Sequence, residues 1–160
     1  YMDVIRYKTA KLFEAAGQLG AVVARADEAT ITALGRYGMH LGTAFQLVDD
    51  VLDYRSDAET MGKEGGDDLA EGKPTLPLIH AMRTGTEDQA RLIREAIETG
   101  GRDQLEAIVA AVDSCGSLAY TSELAREEAR QAETALEGIP DSPWRDALAC
   151  LAQFAVSRDH

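Results

Sequence analysis

The stretch Phe45-Gln-Leu-Val-Asp-Asp-Val-Leu-Asp-Tyr54 lies within a long run of apolar residues at helical spacing. On a helix of 3.6 residues per turn, four polar side chains share an arc of about 100°, namely Gln46, Asp49, Asp50 and Asp53. Carboxylates this close repel one another and are costly to desolvate. No lysine or arginine lies within the stretch, so Mg²⁺, which takes carboxylate oxygens and holds phosphates, is the simplest compensating charge. An ordinary solvated helix face is the alternative.

Composition excludes several classes of protein. The chain has 160 residues, 45% apolar and 28% charged, which is typical of one soluble domain. A net charge of −12 argues against a nucleic-acid partner. No uncharged apolar run is long enough to form a transmembrane segment, and no signal peptide is visible. We therefore predict a cytoplasmic protein in which Cys115 and Cys150 are reduced core thiols.

The apolar periodicity predicts an all-α protein. A first helix covers Tyr1 to about Ala24, and a second runs from Asp27 or Thr30 to about Tyr54. Glycines at Gly35, Gly38 and Gly42 would let another helix approach the second one closely. Ser56 to Thr75 is polar and glycine-rich, which predicts a functional loop, with Thr75 as the cap of the next helix. Later helices are predicted near 76–82, 88–99, 102–113, 118–136 and 144–156, the last one packing through Trp144, Leu148, Leu151 and Phe154.

Three features could bind an anion near the aspartates. Lys8 and Thr9 lie on the first helix, Lys63 and Lys73 lie in the glycine-rich loop, and Gln46 lies one turn before Asp49. Glycines around a lysine free backbone N–H groups to face a phosphate. Solvated surface lysines are the alternative for each. Together with the aspartates these residues could hold a diphosphate through Mg²⁺.

Three motifs in order resemble the trans-isoprenyl (polyprenyl) diphosphate synthases. They are Tyr1 with Ile5-Arg-Tyr-Lys8-Thr9, then Phe45-Gln46-x-x-Asp49-Asp50-x-x-Asp53-Tyr54, then Gly62-Lys63-x-x-Gly66-x-Asp68-Leu-x-x-Gly72-Lys73-x-Thr75. The amino-acid sequence from Gly66 to Met82 and the C-terminal segment from Pro143 are similar to the bacterial long-chain, octaprenyl branch of that family. The resemblance implies a helical bundle of the isoprenoid synthase fold.

The resemblance also implies the chemistry. An allylic diphosphate ionises with Mg²⁺ as cofactor, and the allylic cation alkylates isopentenyl diphosphate, here to build a long-chain polyprenyl diphosphate for quinone side chains. By resemblance, the magnesium ligands are Asp49, Asp50 and Asp53, and the allylic diphosphate is held by Lys8, Thr9, Gln46 and Lys63. Phe45 would line the isopentenyl site, and Lys73 with Asp68 would support from the loop.

One departure from the family matters. Its first aspartate-rich motif is absent from these 160 residues, so the resemblance implies that positions 1–160 are a single all-α domain forming the C-terminal portion of a synthase. We expect this chain alone to be inactive, and we expect a homodimer to cover its apolar faces. A non-catalytic partner subunit with the same fold is the main alternative, and a terpene cyclase-like lyase is a weaker one.

Overall fold

A computed structural model describes residues 1–55 and 66–158, and the regular structure of these residues is helical, as predicted. The elements follow in chain order: α1 Met2–Ile5, a π-helical turn Arg6–Ala10, α2 Lys11–Val23, α3 Glu28–Arg55, α4 Asp67–Ala70, α5 Leu76–Thr84, α6 Glu87–Thr99, a 3₁₀ turn Arg102–Gln104, α7 Leu105–Ser114, α8 Ser117–Ala135 and α9 Pro143–Ser157. No helix among the described residues is long and apolar enough to cross a membrane.

Local sequence explains most helix ends. Thr86 forms a capping box with Gln89 at the start of α6, and Gly100 ends that helix in the left-handed conformation. Ser142 caps α9 ahead of Pro143. Thr75 is the N-cap residue of α5, as predicted, although its side chain makes no cap hydrogen bond. Its hydroxyl lies 3.4 Å from the Tyr54 hydroxyl instead, which satisfies a buried polar group of α3.

The chain divides into two compact units. We call Tyr1 with Asp49–Ser122 the aspartate unit, and Met2–Val48 with Glu123–His160 the glycine unit. Helix α3 contributes residues to both. The single all-α domain over 1–160 stays a prediction.

Close helix contact defines the glycine unit, as the sequence predicted. A methyl group added at Gly38 would lie 2.2 Å from the Phe13 carbonyl oxygen, and one added at Gly42 would lie 2.7 Å from the Ala10 Cα. Only glycine fits at these two positions, because the backbone of the first helix occupies the space of a side chain. The remaining core of the unit is built from Tyr37, Leu41, Ala132, Leu136, Ala152 and Ala155.

The aspartate unit has its own apolar core. Tyr54 and Leu69 pack with side chains from α5 to α8, chiefly Leu78, Ile93, Ile108, Val112 and Leu118. Gly66, which precedes α4, has a φ of 84°, and a Cβ there would lie 2.5 Å from the Leu105 side chain. The segment that returns to the core at Leu69 therefore needs glycine at its start.

The prediction for the final helix was wrong in part. Trp144, Leu151 and Phe154 are 81%, 47% and 62% exposed, and Cys150, predicted as a core thiol, is exposed too. Helix α9 packs instead through the partly buried Leu148 and the buried Ala152 and Ala155. These three residues recur at helical spacing, so they form a single inward stripe.

Candidate functional site

Lys8 and Thr9 lie in the π-helical turn Arg6–Ala10, which widens the first helix between α1 and α2. The hydroxyl of Thr9 donates a 3.0 Å hydrogen bond to the Gln46 side-chain oxygen on α3. The Lys8 side chain is exposed. Single π turns are rare and recur at functional sites. The structure thus brings Thr9 and Gln46 together and leaves the Lys8 ammonium at the surface, and their role in binding a diphosphate stays a prediction.

A buried carboxylate supports this turn, and sequence reasoning missed it. Glu128 on α8 is 8% exposed. One of its oxygens lies 3.5 Å from an Arg6 guanidinium nitrogen, and the other lies 2.6 Å from His40 Nδ1. The available signal was the position of Glu128 beside a stripe of alanines, Ala125, Ala129 and Ala132, at helical spacing.

Phe45 is held by an aromatic and a cationic neighbour. Its ring centroid lies 5.8 Å from that of Phe13, and the Arg158 guanidinium carbon lies 4.4 Å from the Phe45 ring centroid. Arg158 also donates from Nε to the Ala155 carbonyl, while its Nη2 is buried with no hydrogen-bond partner among the described atoms. This cation–π contact fixes the Phe45 ring. Sequence reasoning gave Arg158 no role.

The three aspartates of α3 have different surroundings. Asp49 is exposed, whereas Asp50 is 1% exposed and accepts a hydrogen bond from the Tyr1 hydroxyl. Burial, and then the negative charge of Asp50, raise the pKa of Tyr1 far above its ordinary value. Tyr1 therefore stays protonated and keeps donating, which satisfies part of the hydrogen-bonding need of a buried carboxylate.

Asp53 contacts the segment that follows the loop. Its two carboxylate oxygens accept hydrogen bonds from the backbone N–H groups of Asp67 and Asp68, both at 3.1 Å. Burial raises the pKa of Asp53, and the nearby carboxylates of Asp68 and Asp67 raise it further against the opposing effect of the two amides. Asp53 is therefore a crowded carboxylate whose charge would be favoured by a nearby cation.

Of the two lysines predicted to bind an anion from the loop, only Lys73 is among the described residues. Lys63 lies outside the described residues. The Lys73 ammonium lies 3.0 Å from an Asp68 oxygen and 2.6 Å from a Glu71 oxygen. Hydrogen bonds to Glu71 and Asp68 raise the pKa of Lys73, so its side chain stays positively charged. This charge is already paired with the two acidic side chains. Lys73 and Asp68, both predicted to support the diphosphate site from the loop, contact each other, and that supporting role stays a prediction.

The donor chemistry on α3 fits Mg²⁺ in kind. Carboxylate oxygens are its usual protein ligands, and it often takes only one or two of them beside substrate phosphates and water. Within residues 1–55 and 66–158, no three His, Cys, Asp or Glu side chains are grouped closely enough to hold a metal by themselves. The assignment of Asp49, Asp50 and Asp53 as magnesium ligands stays a prediction.

Known proteins match this chain over its whole length. The chain is 55% identical over 160 residues to the octaprenyl diphosphate synthase of Escherichia coli (strain K12), a match that covers 99% of this chain and 50% of that protein. It is 54% identical over 161 residues to the octaprenyl diphosphate synthase of Haemophilus influenzae, with 100% and 49% covered. The chain thus spans about half the length of these curated relatives.

A solved structure agrees with the fold. The polyprenyl synthase from Caulobacter crescentus CB15, complexed with calcium and isoprenyl diphosphate, superposes with a TM-score of 0.92 at 42% identity, covering 100% of this chain and 49% of that chain. The family model for polyprenyl synthetase matches residues 1–114, which include the first helix, α3 and the segment up to α7. This chain therefore belongs to the polyprenyl synthetase family.

Proposed function

We propose that this chain is part of a trans-polyprenyl diphosphate synthase that joins isopentenyl diphosphate to an allylic diphosphate and builds an octaprenyl chain for quinone biosynthesis. The observation that carries the proposal is the 3.0 Å bond between Thr9 and Gln46, which links two of the family-like motifs within the glycine unit. The identity of 55% to an octaprenyl diphosphate synthase supports the product class.

In this proposal each group has a simple task in binding the allylic diphosphate. The exposed Lys8 ammonium contributes positive charge, and Thr9 with Gln46 presents an ordered pair of polar groups beside it. Lys63, outside the described residues, would add a second cation. Preorganised donors of this kind stabilise the negative charge that grows on diphosphate as the carbon–oxygen bond breaks.

The aspartates of α3 would hold the cofactor. Mg²⁺, when bound, would neutralise the departing diphosphate. Asp49 is exposed and would hold such an ion directly, while Asp50 and Asp53 would hold it directly or through water. After ionisation the allylic carbon bonds to the double bond of isopentenyl diphosphate, and a proton then leaves the product. Phe45, fixed by Phe13 and Arg158, would form an apolar wall beside the isopentenyl unit.

The whole-protein properties belong to the same proposal. The 160 residues alone do not catalyse prenyl transfer, because they contain only one aspartate-rich motif of the two that the family uses. A second copy of the protein completes a homodimer in the cytoplasm, and the long apolar product passes to membranes.

An exchange experiment tests the proposal. The matched segment of the Escherichia coli relative is replaced by this chain, and the chimera is assayed with Mg²⁺, farnesyl diphosphate and labelled isopentenyl diphosphate, with chain length read by chromatography. We expect octaprenyl product, and we expect the isolated 160-residue chain to give none. A folded chimera without elongation would overturn the synthase proposal and would favour the non-catalytic partner subunit, which is then tested by adding the chain to the intact relative.

A further inference from the structure

The start of α4 lacks a cap of its own. Gly66 occupies the N-cap position with a φ of 84° and has no side chain that could accept a hydrogen bond. The first N–H groups of any helix have no partner within the helix, and a side-chain oxygen normally satisfies them. A side chain at Gly66 would be strained at this φ and would press on the end of the Leu105 side chain, so a capping residue is disfavoured there.

Asp53 fills this role from the end of α3. Its carboxylate oxygens accept from the backbone N–H groups of Asp67 and Asp68 at 3.1 Å, and its backbone carbonyl accepts from Gly66 N–H at 2.9 Å. Three consecutive amides thus converge on one residue. A carboxylate at a helix N-terminus also interacts favourably with the partial positive charge there.

The capped turn leads to further contacts within the aspartate unit. Asp68 accepts a hydrogen bond from the Lys73 ammonium at 3.0 Å, and Leu69 is fully buried in the core of the unit. The same turn carries a cost, because the carboxylates of Asp67 and Asp68 repel that of Asp53. The geometry of the turn therefore depends on the charge around Asp53.

We propose that Asp53 is a positioning residue, which anchors Gly66–Asp68 to α3 and transmits cation binding on the aspartate face of α3 to that segment. The coupling part rests on the proposed function, whereas the anchor does not. Each carboxylate oxygen has two lone pairs, and the amides use one on each. A hydrated Mg²⁺ can therefore approach without displacing the amides, and it offsets the repulsion from Asp67 and Asp68. Because such coupling is reciprocal, an ordered turn also favours cation binding.

Hydrogen exchange of the Gly66, Asp67 and Asp68 amides tests the proposal. The measurement is made on the 160-residue chain and repeated in the chimera, where the relative supplies the remaining half. Without metal, Asp53→Asn should speed exchange of the Asp67 and Asp68 amides by on the order of tenfold, because a charged acceptor is lost. Asp49→Asn is the matched control, since it removes an exposed charge one turn away, and it should leave these amides unchanged.

Added Mg²⁺ tests the coupling. In the wild type, MgCl₂ should slow exchange of the three amides several-fold relative to NaCl of equal ionic strength, and Asp53→Asn should abolish that response. Unchanged exchange in metal-free Asp53→Asn overturns the anchor. Calorimetry records Mg²⁺ binding separately. If Mg²⁺ binds but amide exchange is not slower, the coupling alone is overturned. If Mg²⁺ does not bind to the chimera, both the coupling and the magnesium part of the proposed function are overturned. Should Asp53→Asn not fold, Asp53→Glu, which keeps the charge but shifts the oxygens, should show the same faster exchange, and unchanged exchange there overturns the anchor.

Discussion

Tyr1 and Asp50, separated by 49 positions, are joined by a hydrogen bond from the phenol to a carboxylate that is 1% exposed. The bond ties the first residue of the chain to the most buried of the three aspartates on α3. It also explains how an acidic side chain is accommodated at a buried position of α3, because a neutral donor faces the charge.

Removal of the Tyr1 hydroxyl should destabilise the chain. In Tyr1→Phe the buried Asp50 carboxylate loses a donor, so the free energy of unfolding should fall by about 1–3 kcal/mol. Urea unfolding followed by circular dichroism measures the change. Tyr7→Phe is the matched control, because Tyr7 is 76% exposed, and it should change the midpoint little. Equal midpoints for both variants would contradict the importance of this bond.

Thr9→Val tests how much the hydroxyl of Thr9, apart from the volume of its side chain, contributes to activity. The substitution keeps the volume and removes the donor to Gln46. In the chimera we expect kcat/KM for the allylic diphosphate to fall by on the order of tenfold, which corresponds to about 1.4 kcal/mol. Thr9→Ser keeps the hydroxyl and should retain most of the activity. Activity of Thr9→Val equal to that of wild type would remove Thr9 from the site.

The glycine contact of α3 should tolerate no methyl group. Gly38→Ala places a Cβ 2.2 Å from the Phe13 carbonyl oxygen, so the helices must move apart, and we expect a loss of about 3 kcal/mol or more. Gly20→Ala, with nothing within 4 Å of the added Cβ, should be neutral or stabilising by up to about 1 kcal/mol. Thermal unfolding measures the stability of both variants. Similar melting temperatures would contradict a close contact between Gly38 and the Phe13 backbone.

Alkaline pH should weaken the glycine unit through Tyr37. Burial raises the pKa of Tyr37 to about 12, and its hydroxyl donates to the Leu148 carbonyl at 2.8 Å. The unfolded chain releases this proton near pH 10, before the folded chain does, so the stability contribution is present below pH 10 and is lost toward pH 12. That loss is about 1.4 kcal/mol for each pH unit.

A comparison with Tyr37→Phe isolates this effect. The variant lacks the ionisable group, so its unfolding free energy should fall less steeply than that of the wild type above pH 10. At neutral pH it should be less stable by roughly 1 kcal/mol, since the Leu148 carbonyl loses its donor. Parallel pH profiles measured by urea unfolding would show that Tyr37 does not titrate differently in the two states.

Features of the helices themselves could be predicted from the sequence. Periodicity and caps are local, so α3 and its glycine contact were predicted close to where they lie, and Thr9 was predicted to share a site with Gln46 on motif order alone. The π-helical turn around Lys8 was not predicted, because its residues continue an ordinary helical pattern. Glu128 and Arg158 were missed because their partners, His40 and Phe45, are far away in the chain.

The sequence by itself determined the helical class, the family and the row of carboxylates on α3, because each depends on residue types at short, regular spacing. Only the tertiary structure decided what each carboxylate contacts: Asp50 meets Tyr1, and Asp53 meets the amides of Asp67 and Asp68. It also decided that the Trp144 side chain on α9 is exposed rather than in the core. Hydrogen-bond partners and buried faces depend on which distant segments pack together, and the local spacing of residues does not determine that.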